Sequence, residues 1–455
     1  MPRVLLLDVV GLTPGLLEHA PRLRRLATEG DGRPLEAAFP ALTCTGQASL
    51  LTGRTPREHG IVGNGWYFRD LAEVWLWRQS HGLLEAEDVH ARLARELPGS
   101  TTARLFLWYA MGSPADFVAT PRPQYKADGR KLPDVWTKPD ALRNELQTAL
   151  GTFPLFQFWG PGAGLASSAW IVAAAGHVRR TRKPTLTSVY VPHLDYDHQR
   201  FGPSDPRSIR AVKDVDELLA PLIDEALADG DRVVVVSEYG ITPVARAVLP
   251  NRALREAGLL VVRDEDGELL DPLLSRAFAV ADHQIAHVYV RDPADIPVAA
   301  EILRRLPGVA AVLDDAGKRR ESLDHPRSGE LVLVAERDAW FAYPYWQDDA
   351  RAPDFARCVD IHKKPGYDPV ELFVDPKIRL PKLALGCRLA KKIMGFRTLF
   401  DVISLDPSLV RGSHGLRPAR PEDGPVLLTS WRREGAGDGA FPLSGMPDLL
   451  IDSVR

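Results

Sequence analysis

The chain has 455 residues, 45% of them hydrophobic and 26% charged, with a formal net charge of −3. That is ample for a large buried core, and the balance excludes a global field for nucleic acid or an anionic membrane while leaving a locally positive site open. Three scattered cysteines, Cys44, Cys358 and Cys387, exclude a disulfide framework or a zinc finger and fit a reducing compartment.

The first element is an apolar run, residues 4–7 (VLLL), typical of a strand buried on both faces. It is short, runs into Asp8 and has no small-residue cleavage site, so it reads as a strand and not as a signal peptide. No apolar run is long enough to span a membrane, and the expected location is cytoplasmic. Residues 16–29 have helical spacing and stop at Gly30. Further runs at 186–191 (LTSVYV), 232–236 (RVVVV), 286–290 (AHVYV), 331–334 and 426–429 read as central strands, with helical patterns at 212–228 and 298–306 between them. The expected fold is therefore α/β: a mostly parallel central sheet sandwiched by helices. We expect one domain over residues 1–455, with cap insertions at 65–165 and 335–400, both rich in Trp and Tyr. Residues 413–424 and 434–440 read as loops.

Ligands of such sheets bind beyond the carboxyl ends of the strands. Asp8 ends the first strand, His193, Asp195 and His198 follow the run at 186–191, and Glu238 and Tyr239 follow the run at 232–236. Each alone has a plain structural alternative, a cap or a solvated strand end.

Residues 39–64, FPALTCTGQASLLTGRTPREHGIVGN, bring a strand-like segment to Thr43 just before a helix at 46–53. A hydroxyl there is either a helix N-cap or a nucleophile whose phosphate rests on the positive end of the helix. The stretch resembles the nucleophile segment of the nucleotide pyrophosphatase/phosphodiesterase branch of the alkaline phosphatase superfamily. The matching residues are Phe39, Pro40 and Thr43, then TGRTPREHGI from Thr52, then Asn64. The resemblance is dense over residues 1–68, patchy to about residue 430, and does not cover the insertions.

The resemblance implies an alkaline-phosphatase-like fold, with Thr43 as nucleophile and Asn64 as a donor to a phosphoryl oxygen. Asp8, Thr43, Asp195, His198, Glu238 and His414 become candidate metal ligands, His362 being a rival to His414. The family's Asp-x-x-x-His appears here as HLDYDHQRFGP. Its imidazole comes one place early, at His198, and Gln199 fills the usual slot. The family's Ser-Asp-His-Gly reads Ser237-Glu238-Tyr239-Gly240, so a carboxylate persists while Tyr replaces an imidazole. Tyr239, Asp282, His283 and His193 are reserves for the missing ligand. Lys363, Trp66 and Tyr67 are candidates for substrate binding, with a solvated face and core packing as the alternatives.

The implied cofactors are one or two divalent cations, Zn²⁺ first, with Mn²⁺ or Mg²⁺ favoured by an oxygen-rich set. The implied partner is a small phosphate ester, not a nucleic-acid polymer; the oligomeric state is open. The implied activity is metal-dependent phosphodiester hydrolysis through a covalent threonine intermediate. A phosphomonoesterase, phosphonate hydrolase or phosphomutase on the same fold is one alternative. A non-catalytic binding protein that has lost a metal site is another: the Glu238-Tyr239 change favours it, and Asp8, Thr43, Asn64 and Asp195 oppose it.

Overall fold

The computed structural model describes residues 2–127, 130–394, 398–433 and 439–455. Strands without a polar face must be covered on both sides. Val4–Val9 and Leu186–Val191 accordingly lie side by side in the middle of an eight-stranded sheet, every residue buried. The order is Asp31–Pro34, Val426–Thr429, Arg232–Val236, Val4–Val9, Leu186–Val191, Thr102–Leu105, Phe117–Pro121, Val135–Lys138. The run from Arg232–Val236 to Phe117–Pro121 is parallel, and Val426–Thr429 and Val135–Lys138 are antiparallel to it. One group of helices, including Pro21–Glu29, Leu165–Arg182 and Pro206–Ala228, and a second, Thr43–Thr52 with Met446–Asp452, pack against this core. Each fully buried Leu or Val there contributes on the order of 1.5–3 kcal/mol. The α/β expectation holds.

Two particulars differ. The segments at 286–290 and 331–334 are not central strands. Ala277–Asp282, Ile285–Val290, Leu331–Ala335 and Val309–Leu313 form a separate antiparallel sheet with its own core around Phe278, Tyr289 and Trp346. A short apolar run is compatible with either sheet, and the hairpin turn gives no Gly or Asn signal, because His283 takes the positive φ of 59°. Residues 65–165 are not simply a cap: Thr102–Leu105, Phe117–Pro121 and Val135–Lys138 are strands of the central sheet. In the segment 335–400, Ala339–Phe341 pairs with Arg246–Val248, and helix Pro381–Ile393 lies outside both cores. Of the expected loops, 413–424 contains only a strand end and a short 3-10 turn, and 434–438 lies outside the described residues.

Helix Thr43–Thr52 runs between the two cores. Leu50 and Leu51 join the first, Cys44 and Ala48 the second, and all ten residues are buried. A helix enclosed this way has no need of a polar face, which explains its absence of charge.

Candidate active site

Three adjacent parallel strands end together. Asp8 lies within Val4–Val9, Asp195 follows Leu186–Val191 in the first turn of helix His193–Phe201, and Glu238 follows Arg232–Val236. Helix Thr43–Thr52 begins above these ends. Its N-cap is Leu42, so Thr43 is the first helical residue and its side chain does not cap. Thr43 and Gln47 are one turn apart and face the same way. The Thr43 hydroxyl meets the Tyr239 hydroxyl at 2.8 Å, and Gln47 Nε2 donates to Glu238 Oε1 at 2.9 Å. Gly46, between them, is essential: a Cβ there would lie 2.6 Å from Glu238 Cβ.

The site divides into two halves. On one side Asp8 keeps both carboxylate oxygens without a hydrogen-bond partner, and Glu238 keeps Oε2 so. Burial pushes Asp8 up to about 7, and burial with the adjacent Asp8 charge pushes Glu238 well up. On the other side Tyr239 donates to Asp195 Oδ1 at 3.4 Å, and Tyr239 stacks on His414 with ring centroids 3.6 Å apart. Burial lifts Asp195 to about 7, against hydrogen bonds from Gln199 and Tyr239. His414 donates Nδ1–H to the Ala41 carbonyl at 2.8 Å, which leaves Nε2 as a bare acceptor 3.9 Å from Asp195 Oδ1. Burial lowers His414 to about 3, so it is neutral.

No Lys or Arg among the described residues pairs with Asp8, Asp195, Glu238 or Asp282. Buried carboxylates without such a partner call for a cation or a proton. Asp8, Glu238 and the Thr43 hydroxyl are hard oxygen donors of the kind that could hold one divalent ion. The Asp195–His414 half does not complete a second site, since Tyr239 and Gln199 stand where imidazoles were sought. Among the described residues no group of three or more His, Cys, Asp or Glu side chains could hold a metal ion.

Other expected residues divide in the same way. Asn64 accepts from the Cys44 amide at 3.0 Å and donates Nδ2–H to Asp282 Oδ1 at 2.9 Å, with one amide hydrogen to spare. Asp282 also accepts from the Asn64 backbone at 2.7 Å, so it orients Asn64. The same hairpin turn carries His283 into the site, 3.6 Å from the His414 ring and 3.9 Å from Tyr367. His198 does not reach it. Its ring lies beside Gly11, while Gln199, a full turn from Asp195, faces the centre and accepts from Tyr367 at 2.9 Å. His193 packs on Tyr196. Lys363 is exposed and outside the cavity; its buried neighbour Lys364 pairs with Asp368 at 2.7 Å and Glu371 at 2.8 Å. Trp66 stacks on Phe68, and Tyr67 packs against Phe278 and Tyr289, so both belong to the second core.

Thr43 and Asp195 open into a cavity of about 1770 Å³. Its walls are Trp77, Trp108, Trp159 and Tyr367, and His362 lies in the wall with no contact to the carboxylates. The aromatic composition of these segments announced apolar packing, but nothing local separated Trp77 and Trp108 from Trp66 and Tyr67. Gln199 and Tyr367 went unidentified as site residues because each acts through a partner distant in sequence.

The profile of the family described as "Type I phosphodiesterase / nucleotide pyrophosphatase" matches residues 4–368. No curated relative matches the sequence. Among solved structures, phosphonoacetate hydrolase from Sinorhizobium meliloti 1021 in complex with phosphonoacetate is similar with a TM-score of 0.63 at 17% identity, covering 100% of this chain and 96% of that one. Murine ectonucleotide pyrophosphatase / phosphodiesterase 5 is similar with a TM-score of 0.60 at 14% identity, covering 99% and 95%. At these identities the likeness establishes a common fold, and the family rests on the profile match over most of the sequence: the chain belongs to the type I phosphodiesterase / nucleotide pyrophosphatase family.

Proposed function

We propose that the protein is a phosphoric-ester hydrolase that acts on phosphodiesters through a covalent threonine intermediate, with one divalent cation. The observation that carries this reading is the Thr43 hydroxyl at the first turn of a buried helix, on the cavity floor, within 2.8 Å of Tyr239. The phosphoryl group rests at the positive end of that helix, where the spare Asn64 amide hydrogen can meet an oxygen. Because Tyr239 donates to Asp195, the Thr43 hydroxyl donates to Tyr239. The chain Thr43–Tyr239–Asp195 thus gives the nucleophile's proton a route to a carboxylate held near neutrality. Attack of Thr43 Oγ on phosphorus forms the phosphothreonine ester and expels the first alcohol; water on the opposite side then releases the phosphate monoester. Asp8, Glu238 and Thr43 would hold a divalent cation, which would supply charge neutralisation and Lewis acidity. The aromatic walls stack on or enclose the apolar part of the ester. Phosphonoacetate hydrolase shares the fold, so phosphonate hydrolysis on the same Thr43 is the second reading. Three cysteines that form no disulfide agree with a reducing, cytoplasmic compartment.

The test is to strip the protein of metal, reload it separately with Zn²⁺, Mn²⁺ and Mg²⁺, and assay bis-p-nitrophenyl phosphate, p-nitrophenyl phosphate and phosphonoacetate beside Thr43→Ala. Turnover restored by Mn²⁺ or Mg²⁺ on the diester and abolished in the variant supports the reading. Equal turnover by wild type and Thr43→Ala overturns it.

A further inference from the structure

Exposed large apolar side chains are not spread evenly over the surface. Leu380 (64% exposed), Leu383 (61%), Met394 (65%) and Leu399 (54%) lie on and beside helix Pro381–Ile393, and Phe156 (61%) and Tyr125 (63%) line the mouth of the cavity. The helix turns Leu385 inward onto a small core with Ile378, while Leu380 and Leu383 face outward. Leu399, exposed and beside the helix, also lines the cavity, so the apolar patch reaches the cavity. A patch of this kind marks a docking surface.

The charge of the same segment identifies what docks. Between Asp375 and Asp401 the sequence holds seven basic residues, Lys377, Arg379, Lys382, Arg388, Lys391, Lys392 and Arg397, and no acidic one. The chain as a whole carries −3, so the segment runs against the balance of the molecule. Arg388 pairs with Asp401 at 2.6 Å, whereas Lys377, Arg379 and Lys391 are exposed. A helix with an outward Leu, flanked by an exposed Leu and Met and set in a segment dense in Lys and Arg, suits a bilayer interface with anionic headgroups. No helix of the described residues is long and apolar enough to cross a membrane, so the contact is peripheral. We propose that helix Pro381–Ile393 docks the protein on an anionic lipid bilayer, with the cavity mouth turned to the membrane surface.

The bilayer contact does not depend on the role of Thr43, and its test is separate. The full chain is sedimented with vesicles of phosphatidylcholine alone and of phosphatidylcholine mixed with phosphatidylserine. Pelleting with the mixed vesicles, weakened by salt, is expected. The pairs Leu380→Asp with Leu383→Asp, and Lys377→Glu with Lys391→Glu, each lower partitioning by about tenfold or more. Turnover of soluble bis-p-nitrophenyl phosphate stays unchanged in both. A polarity-sensitive fluorophore on the exposed Cys387 shifts to the blue with the mixed vesicles only. Absence of binding, equal binding to both vesicles, or variants that pellet like wild type would overturn the proposal. So would a wild-type dimer that Leu383→Asp converts to monomer, which would assign the face to a second copy of the chain.

Discussion

The two halves of the site meet at the ends of neighbouring strands and both are buried, yet they are finished differently. The Asp8–Glu238 half leaves three carboxylate oxygens unsatisfied, an arrangement whose cost is offset only by a cation or protons. In the Asp195–His414 half, Tyr239 fills the space by donating to Asp195 and stacking on His414. Tyr239 stands where the resemblance implied an imidazole, and hydrogen bonds join it to the Thr43 hydroxyl and to Asp195.

The comparison breaks first at Thr43. Thr43→Ala should lower turnover by on the order of 10⁴-fold, measured on the diester with circular dichroism to confirm folding; a mild effect would make both halves structural. Next is the relay. Tyr239→Phe should cost about 100-fold in kcat, within the usual range for positioned proton transfer. Wild-type kcat should rise as pH passes about 7, where Asp195 ionises, and that limb should vanish in the variant.

Cation binding sharpens the contrast between halves. Glu238→Gln should weaken Mn²⁺ binding by about 100-fold or more in isothermal titration, while Asp195→Asn should leave it nearly unchanged. The double change Tyr239→His with Gln199→His should add a second equivalent. Gly46→Ala, by driving a methyl against Glu238 Cβ, should cost about 1–3 kcal/mol in denaturant unfolding.

The smallest effect is the pH dependence of stabilisation by the cation. Asp8 titrates at about 7 in the fold against 3.8 as a free side chain, so the metal-free fold holds an extra proton between those values. That contribution to stability is present at low pH and is lost as pH rises through about 7. A cation replaces the proton. Its increase in Tm should therefore be large at about pH 8 and fall away at about pH 5.5.

Much of the site was legible because strand ends are legible. The run 4–7 led to Asp8, LTSVYV to the group His193, Asp195 and His198, and RVVVV to Glu238 and Tyr239, since buried parallel strands read as largely apolar runs and ligands bind beyond their carboxyl ends. What was misread lacked a local signal. His198 and Gln199 differ by one residue, or 100° around a helix, and only the packing of His193–Phe201 on the sheet decides which faces Asp195. The hairpin of the second sheet, which supplies Asp282 and His283, turns on a residue that carries no turn preference.

The sequence by itself determined the class of fold and the carboxylates at the strand ends, because these depend on short apolar runs, while the reading of Thr43 came from the resemblance of residues 39–64 to a known family. Tertiary structure alone decided that Tyr239 bridges Thr43 and Asp195, that Asp282 orients Asn64, and which tryptophans line the cavity. These contacts join segments 44 to 218 residues apart. No periodicity along the chain encodes such pairings; they are set by how two cores close on one buried helix.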